Sequence, residues 1–255
     1  HATAMVQGRE SIVDVREGSP NIDFNEARKQ AVGGILIAPH MYGIPIDLRG
    51  VRCDSVIEDC AQALGAKIVG RSVGTWGRIG IFSFFATKMI TTGGQGGMVV
   101  SVDKSLVDEV RDYREFDCRK DTKRRFNLQM TDMQAEIGRE QLKRLPGFLI
   151  RREEIFSRYS GSGIDLLDTP DARHLQPVRY KAVMRTRHPR EAIRLLRSSR
   201  VDAIVPVEDW EILGDRSSLP NSLRLSRTSV SLPIFPTLTD TKVSIILAAL
   251  AKFKK

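Results

Sequence analysis

Four polar side chains fall at intervals that could build one catalytic site. Asp59 ends a short apolar run, and Gln62 follows it three residues later. A second apolar run, Ile79 to Phe85, contains Ser83 and leads to Lys88. Charged groups at the ends of buried strands are costly unless they bind something. Since ligands of open α/β sheets sit at the carboxyl ends of the strands, these residues mark a candidate ligand site.

A lysine and a carboxylate in this arrangement suit pyridoxal phosphate (PLP). The lysine amine can form a Schiff base with the aldehyde of that cofactor, and the carboxylate can hold its ring nitrogen protonated. We expect Lys88 to form the covalent bond, Asp59 to pair with the ring nitrogen and Ser83 to donate to the phosphate. If a helix begins after Asp59, Gln62 lies one turn further on, against the ring or its 3-oxygen.

Each of these residues also has a structural interpretation. A lone lysine is usually a surface residue, and Ser83 could be a small core hydroxyl. Either Glu58 or Asp59 could cap a following helix. The spacing of the family that these residues resemble favours catalysis for Lys88, and the register of that spacing with Gln62 favours Asp59 over Glu58 as the partner of the ring.

The motifs around these residues resemble those of a known family. The order E-D-x-A-Q-A, F-S-F-x-x-x-K and T-T-G-x-x-G-G-M is similar to the DegT/DnrJ/StrS family of PLP-dependent sugar aminotransferases. That family spaces its aspartate, glutamine, serine and lysine as D-x2-Q-x20-S-x4-K, which Asp59, Gln62, Ser83 and Lys88 reproduce. The resemblance implies a homodimer with shared active sites, in which Asn127 reaches the cofactor phosphate of the neighbouring subunit.

The resemblance also implies a reaction. An amino acid, expected to be glutamate, would donate its amino group to a nucleotide-linked keto-sugar, in polysaccharide or antibiotic sugar biosynthesis. Some members are instead sugar dehydratases with a histidine at the lysine position, which Lys88 disfavours. A third reading is a shortened, non-catalytic homologue with a structural or regulatory role. The family's S-G-T-x-A phosphate motif and its ring-stacking aromatic have no counterpart in these residues.

The fold implied by the resemblance is the α/β fold-type I of PLP enzymes. Its large domain, with a mostly parallel sheet, is expected at residues 1–145, with the N-terminal portion missing. A small C-terminal α+β domain is expected at 146–255. The apolar run from Gly34 to Pro39 is typical of a parallel strand buried on both faces. Pro146 and Gly147 interrupt a helical pattern near the boundary.

Other elements follow from local patterns. The histidine after the first apolar run, His40, could face the site or be satisfied by the backbone. Local sequence patterns predict helices at Phe24–Ala31, Asp103–Phe116, Phe148–Tyr159, His188–Arg197, where Pro189 fits the first turn, and Asp240–Phe253. Alternation predicts strands at Ser11–Val15, Val178–Thr186 and Val201–Val207.

Composition sets the broad class of the protein. Of 255 residues, 41% are apolar and 28% charged, as in ordinary globular proteins. The net charge of +9 indicates either a solvated basic surface or an anionic substrate such as a nucleotide-sugar diphosphate; no motif indicates nucleic acid. No apolar run approaches the ~18 residues of a membrane span, and no signal peptide is recognised. Three unpatterned cysteines, Cys53, Cys60 and Cys118, indicate free thiols in the cytoplasm and no metal site.

Overall fold

The computed structural model describes residues 2–30, 33–50, 55–169 and 172–251. Cys53 lies outside these ranges. The helices are α1 (Ala2–Met5), α2 (Phe24–Gln30), α3 (Lys104–Tyr113), α4 (Asp132–Gly161), α5 (Pro189–Ser198), α6 (Pro220–Arg227) and α7 (Asp240–Ala251). The strands are β1 (Leu36–Pro39), β2 (Val56–Asp59), β3 (Lys67–Ile68), β4 (Arg71–Ser72), β5 (Ile79–Ser83), β6 (Gly97–Val100), β7 (Leu175–Gln176), β8 (Ala182–Arg185) and β9 (Ser229–Leu232).

The central sheet has the strand order β1-β2-β5-β6. Strands β1, β2 and β5 run parallel, and β6 pairs antiparallel with β5. This mostly parallel sheet, with helices elsewhere in the chain, confirms the predicted α/β class. Because the three parallel strands end at the same edge, the residues that follow them are brought together there.

The prediction that β1 is buried on both faces was wrong. Ala38 is fully buried, but Ile35 and Ile37 are 70% and 50% exposed. Strand β2 shows the same pattern in register: Glu58, the partner of Ala38, is buried together with Val56, so only one face of the sheet packs against the core. Since apolar content cannot say whether a second layer covers the sheet, the sequence pattern alone was ambiguous.

Helix α4 crosses the predicted break at Pro146. A capping box at Thr131 and Gln134 starts it, and it continues for 30 residues. Its middle is held on both sides of the proline: Leu145 packs in one apolar core, and Ile155 and Tyr159 pack in a second. This tertiary packing outweighs the hydrogen bond that a proline removes from a helix. The domain boundary at residues 145/146 stays a prediction.

The C-terminal part of the chain builds the second core around the antiparallel pair β8 and β9. Helices α5 and α7 pack against it, and both begin close to where they were predicted. The strand expected at 201–207 is wrong, since only Ile204 forms a bridge, to Ser231. Pro206 lacks the N–H that a longer ladder would need.

The strand expected at Ser11–Val15 is also reduced to one bridge, between Val15 and Ile22. The Asp14 carbonyl still accepts the Asp23 N–H beside this bridge, while its side chain caps another helix. Its carboxylate accepts from the backbone N–H groups of Asn221 and Ser222, at the start of α6. Within the described ranges, no helix is both long and apolar enough to cross a membrane.

Candidate active site

Asp59 and Ser83 lie on one face of the sheet at the carboxyl ends of neighbouring strands. Asp59 pairs in register with Ile81, and Ser83 lies two residues beyond Ile81 on the same face. The spacings of strands and residues put the two Cα atoms about 8 Å apart. One oxygen of Asp59 accepts from Ala61 N–H at 2.9 Å, so the local turn fixes its carboxylate.

Lys88 lies on the loop that joins β5 to β6. Its backbone N–H donates to the Phe85 carbonyl, and the next two residues, Met89 and Ile90, are buried and anchor the loop. Its ammonium nitrogen stands 5.6 Å from the centre of the Tyr180 ring. Across the described ranges, no hydrogen-bond acceptor or carboxylate partners this nitrogen. The side chain is therefore available to a ligand.

The glycines after Lys88 shape this loop by close approach. A Cβ at Gly96 would stand 2.3 Å from Thr92 Oγ1, and one at Gly97 would stand 2.8 Å from the Phe82 carbonyl. The buried Thr92 hydroxyl donates to the Gln95 carbonyl at 2.8 Å. The glycine-rich motif thus folds the loop back tightly beside the end of β5.

Gln62 does not stand on a helix, because the residues after β2 form turns. Its carboxamide oxygen accepts the backbone N–H of Tyr42 at 2.7 Å. Tyr42 has a left-handed φ of 59°, unusual for a bulky residue, and this bond helps to hold it. Contact between Gln62 and a cofactor ring stays a prediction.

Glu58 has a different task from Asp59, on the opposite face of β2. Its fully buried carboxylate accepts from the N–H groups of Gly74 (2.7 Å), Trp76 (2.5 Å) and Gly77 (2.6 Å), and from His40 Nε2 (3.2 Å). Burial alone would raise the pKa of Glu58, but these hydrogen bonds outweigh it and lower the pKa. Glu58 therefore clamps the 74–77 loop against the sheet.

His40 is held by the same network and does not face the site. Its Nδ1 accepts the Ile46 N–H at 2.9 Å, so the ring is neutral and its proton is on Nε2, towards Glu58. Cys60 lies close enough for the three side chains to form a metal-sized cluster. Because both nitrogens of His40 and both oxygens of Glu58 already have hydrogen-bond partners, the cluster is structural.

Asn127 lies on the extended segment that precedes α4, well after Lys88 in the sequence. Backbone bonds from Phe126 to Tyr113 and from Leu128 to Arg114 fix that segment along α3. The Asn127 side chain is exposed and, within the described ranges, makes no hydrogen bond. Its predicted role in a neighbouring subunit is untested.

Sequence reasoning missed the residues that face Lys88 from the C-terminal part of the chain. Tyr180 lies under the ammonium of Lys88, and Lys181 follows it. Burial lowers the pKa of Lys181, and the charge of Lys88 lowers it further, while Glu211 opposes the shift. The sequence signal for them is the Tyr180-Lys181 pair directly before β8, which the alternating pattern assigns to a longer strand, Val178–Thr186.

The family model for the DegT/DnrJ/EryC1/StrS aminotransferase family matches residues 3–251. The chain belongs to this family. Aminotransferases of this DegT family use PLP. The chain is 30% identical over 238 residues to a GDP-perosamine synthase of Escherichia coli O157:H7, covering 86% of this chain and 65% of the synthase.

Two further proteins are similar to this chain, one in sequence and one in solved structure. One is a dTDP-3-amino-3,4,6-trideoxy-alpha-D-glucose transaminase of Micromonospora megalomicea subsp. nigra, 31% identical over 91% of this chain and 70% of the relative. The other is the crystal structure of S. venezuelae DesV in complex with a ketimine intermediate. It superposes with a TM-score of 0.87 at 25% identity, over 99% of this chain and 74% of DesV. The chain thus spans just under two thirds of the synthase and about three quarters of DesV.

The residues of this DegT-family chain fit PLP in their chemistry. Lys88 supplies an amine without a partner in the described ranges, Asp59 a fixed carboxylate and Ser83 a hydroxyl at the next strand end. The Ser83 oxygen accepts a long bond, 3.3 Å, from the Phe85 N–H, which leaves its own proton free to donate. The amine matches the aldehyde of PLP, the carboxylate matches its ring nitrogen, and the hydroxyl matches its phosphate.

Proposed function

We propose that this protein is a PLP-dependent aminotransferase that moves an amino group from an amino acid, glutamate by expectation, to a nucleotide-linked keto-sugar. The observation that supports this proposal most is the arrangement of the residues: Asp59 and Ser83 lie on one face of the sheet at the ends of β2 and β5, and Lys88 lies on the loop that follows β5. The relatives named for GDP-perosamine and dTDP-amino-sugar chemistry support this substrate class.

Each residue has one task in this proposal. Lys88 would hold the cofactor covalently, Asp59 would keep the ring nitrogen protonated, and Ser83 would donate to the phosphate. Gln62 would lie against the ring. When bound, PLP draws electrons from the substrate carbon that loses its proton. The Lys88 amine, once released, would take that proton from the substrate carbon and deliver it to the cofactor carbon.

A homodimer completes the proposal. Asn127 would reach the cofactor phosphate of the partner subunit, which suits its exposed side chain. Three apolar side chains near it are exposed and would be covered by a second copy: Leu128, Met133 and Ile137, at 63%, 77% and 39%. The free thiols of Cys60 and Cys118 support a cytoplasmic location.

The alternatives differ at Lys88. A sugar dehydratase of the kind that lacks this lysine would not need its amine, so the presence of Lys88 supports transamination. A non-catalytic homologue would take up no cofactor at all. PLP uptake by the wild type distinguishes the proposal from the non-catalytic homologue, and the activity of a Lys88 variant distinguishes it from the dehydratase.

The test follows both halves of the reaction in purified protein supplied with PLP. We expect L-glutamate to be converted to 2-oxoglutarate, followed by amination of a nucleotide-linked keto-sugar. Lys88→Ala should lower the rate by about 10²- to 10⁴-fold, the usual contribution of a proton-transferring group. Lys67→Ala, an exposed lysine on β3, is the matched control and should keep full activity. Full activity in Lys88→Ala, or no uptake of PLP by wild type, would contradict the proposal.

A further inference from the structure

Lys181 brings a second ammonium to the site that contains Lys88. Its backbone N–H donates to the Tyr42 carbonyl at 3.5 Å, and its side chain is half-buried. Lys88 is close enough for its charge to lower the pKa of Lys181 beyond the effect of burial. Two cations are therefore close to each other, with the Tyr180 ring 5.6 Å from the Lys88 ammonium and the Tyr42 carbonyl at the Lys181 backbone.

The Lys181 ammonium has no hydrogen-bond or ion-pair partner in the described ranges. The lysines that do have carboxylate partners are exposed: Lys29, Lys104, Lys123 and Lys143. Withdrawing a cation from water without a counter-ion is unfavourable. Glu211 opposes the shift of the Lys181 pKa without forming an ion pair with it in the described ranges, so the ammonium is open to an anionic ligand.

A buried arginine holds the backbone on which Lys181 stands. Arg152, on α4, donates through Nη1 to the carbonyls of Arg179 (3.0 Å), Tyr180 (3.2 Å) and Ile234 (2.9 Å). These bonds fix the two residues directly before Lys181. A group held in place before a ligand arrives costs less free energy when it binds.

We propose that Lys181 binds an oxyanion of the substrate, donating from its ammonium to a carboxylate or phosphate oxygen of the molecule that meets Lys88. This inference rests on the proposed function and adds a specificity residue to it. The oxyanion has two possible sources, the carboxylate of the amino-acid donor and the diphosphate of the nucleotide sugar. Both would meet the same ammonium, and the experiment separates them.

The test measures dissociation constants by calorimetry on the PLP-loaded protein. The probes are 2-oxoglutarate for the carboxylate source and GDP, UDP or dTDP for the diphosphate source. Lys181→Met should weaken one probe by about 10- to 100-fold, the range for a charge-assisted hydrogen bond. Lys181→Arg should keep the dissociation constant within a few-fold, and the exposed control Lys67→Met should leave it unchanged.

The outcomes are distinct from those that test the function. The weakened probe identifies the source of the oxyanion, and an effect on both shows that they share the site. Unchanged constants in Lys181→Met, equal losses in Lys67→Met, or a wild type that binds neither probe would overturn the inference. A wild type without the absorbance of bound PLP would instead overturn the proposed function. If Lys181→Met fails to fold by circular dichroism, Lys181→Gln replaces it.

Discussion

Glu58 offers a sharp test of how the loop at 74–77 is held. Glu58→Gln keeps the shape of the side chain and one acceptor oxygen. The remaining oxygen can still accept from Trp76 and Gly77, but the new NH2 group then faces Gly74 N–H and the Nε2–H of His40. His40 cannot reverse its donor, because Nδ1 accepts from Ile46. Two orphaned donors at about 1–3 kcal/mol each predict a loss of about 2–6 kcal/mol.

The assay is urea unfolding of wild type and variant at pH 7, followed by circular dichroism. Glu109→Gln is the matched control, because Glu109 is exposed on α3 and has no recorded partner in the described ranges. It should change the free energy of unfolding by less than about 0.5 kcal/mol. A Glu58→Gln variant within that same limit would refute the clamp.

The same clamp makes a prediction about pH. The pKa of Glu58 is lowered in the folded protein from its ordinary value of 4.5. A lowered pKa adds stability that is present above about pH 4.5 and is lost as pH falls through the folded value. Wild type should therefore lose its advantage over Glu58→Gln below pH 4.5. An advantage that stays constant down to pH 3 would contradict the ionised carboxylate.

Three further predictions use the same unfolding assay. Arg152→Met should cost about 2–4 kcal/mol, because three carbonyls lose their donor. Arg151→Met removes ion pairs to the exposed Glu154 and Asp240 and a single carbonyl bond, to Leu238, and should cost about 1 kcal/mol. Gly43→Ala should cost more than about 3 kcal/mol, since its Cβ would stand 2.0 Å from the Val178 carbonyl at a φ of +85°. Gly50→Ala has a similar φ of +70° in open space and should cost about 1 kcal/mol; equal losses would refute the clash. Asp14→Ala should cost about 1–2 kcal/mol by uncapping α6, against no loss in the exposed control Asp202→Ala.

Much of the site could be predicted because its residues are close in sequence. Asp59, Ser83 and Lys88 fall within thirty residues, and strand ends fix which of them share an edge. The family motif adds the order in which they occur. Local patterns likewise predict α3, from the apolar positions on its polar helix, and α5, with Pro189 in its first turn.

Long-range contacts account for what could not be predicted. Tyr180 and Lys181 lie about ninety residues after Lys88 and reach it only through the packing of α4 and the hold of Arg152. The passage of α4 through Pro146 depends on two cores that the local pattern does not show. The separate roles of Glu58 and Asp59 could be assigned only once β2 was known to be a strand, because its pleat places the two carboxylates on opposite faces of the sheet.

The central claim is that the Lys88 amine carries PLP. Borohydride reduction of the PLP-loaded protein, followed by peptide mapping with mass spectrometry, locates the lysine that has become covalently modified. The account predicts a phosphopyridoxyl group on the peptide containing Lys88, and no modification at Lys181. A label on Lys181 or on another lysine, or no label at all, would contradict it.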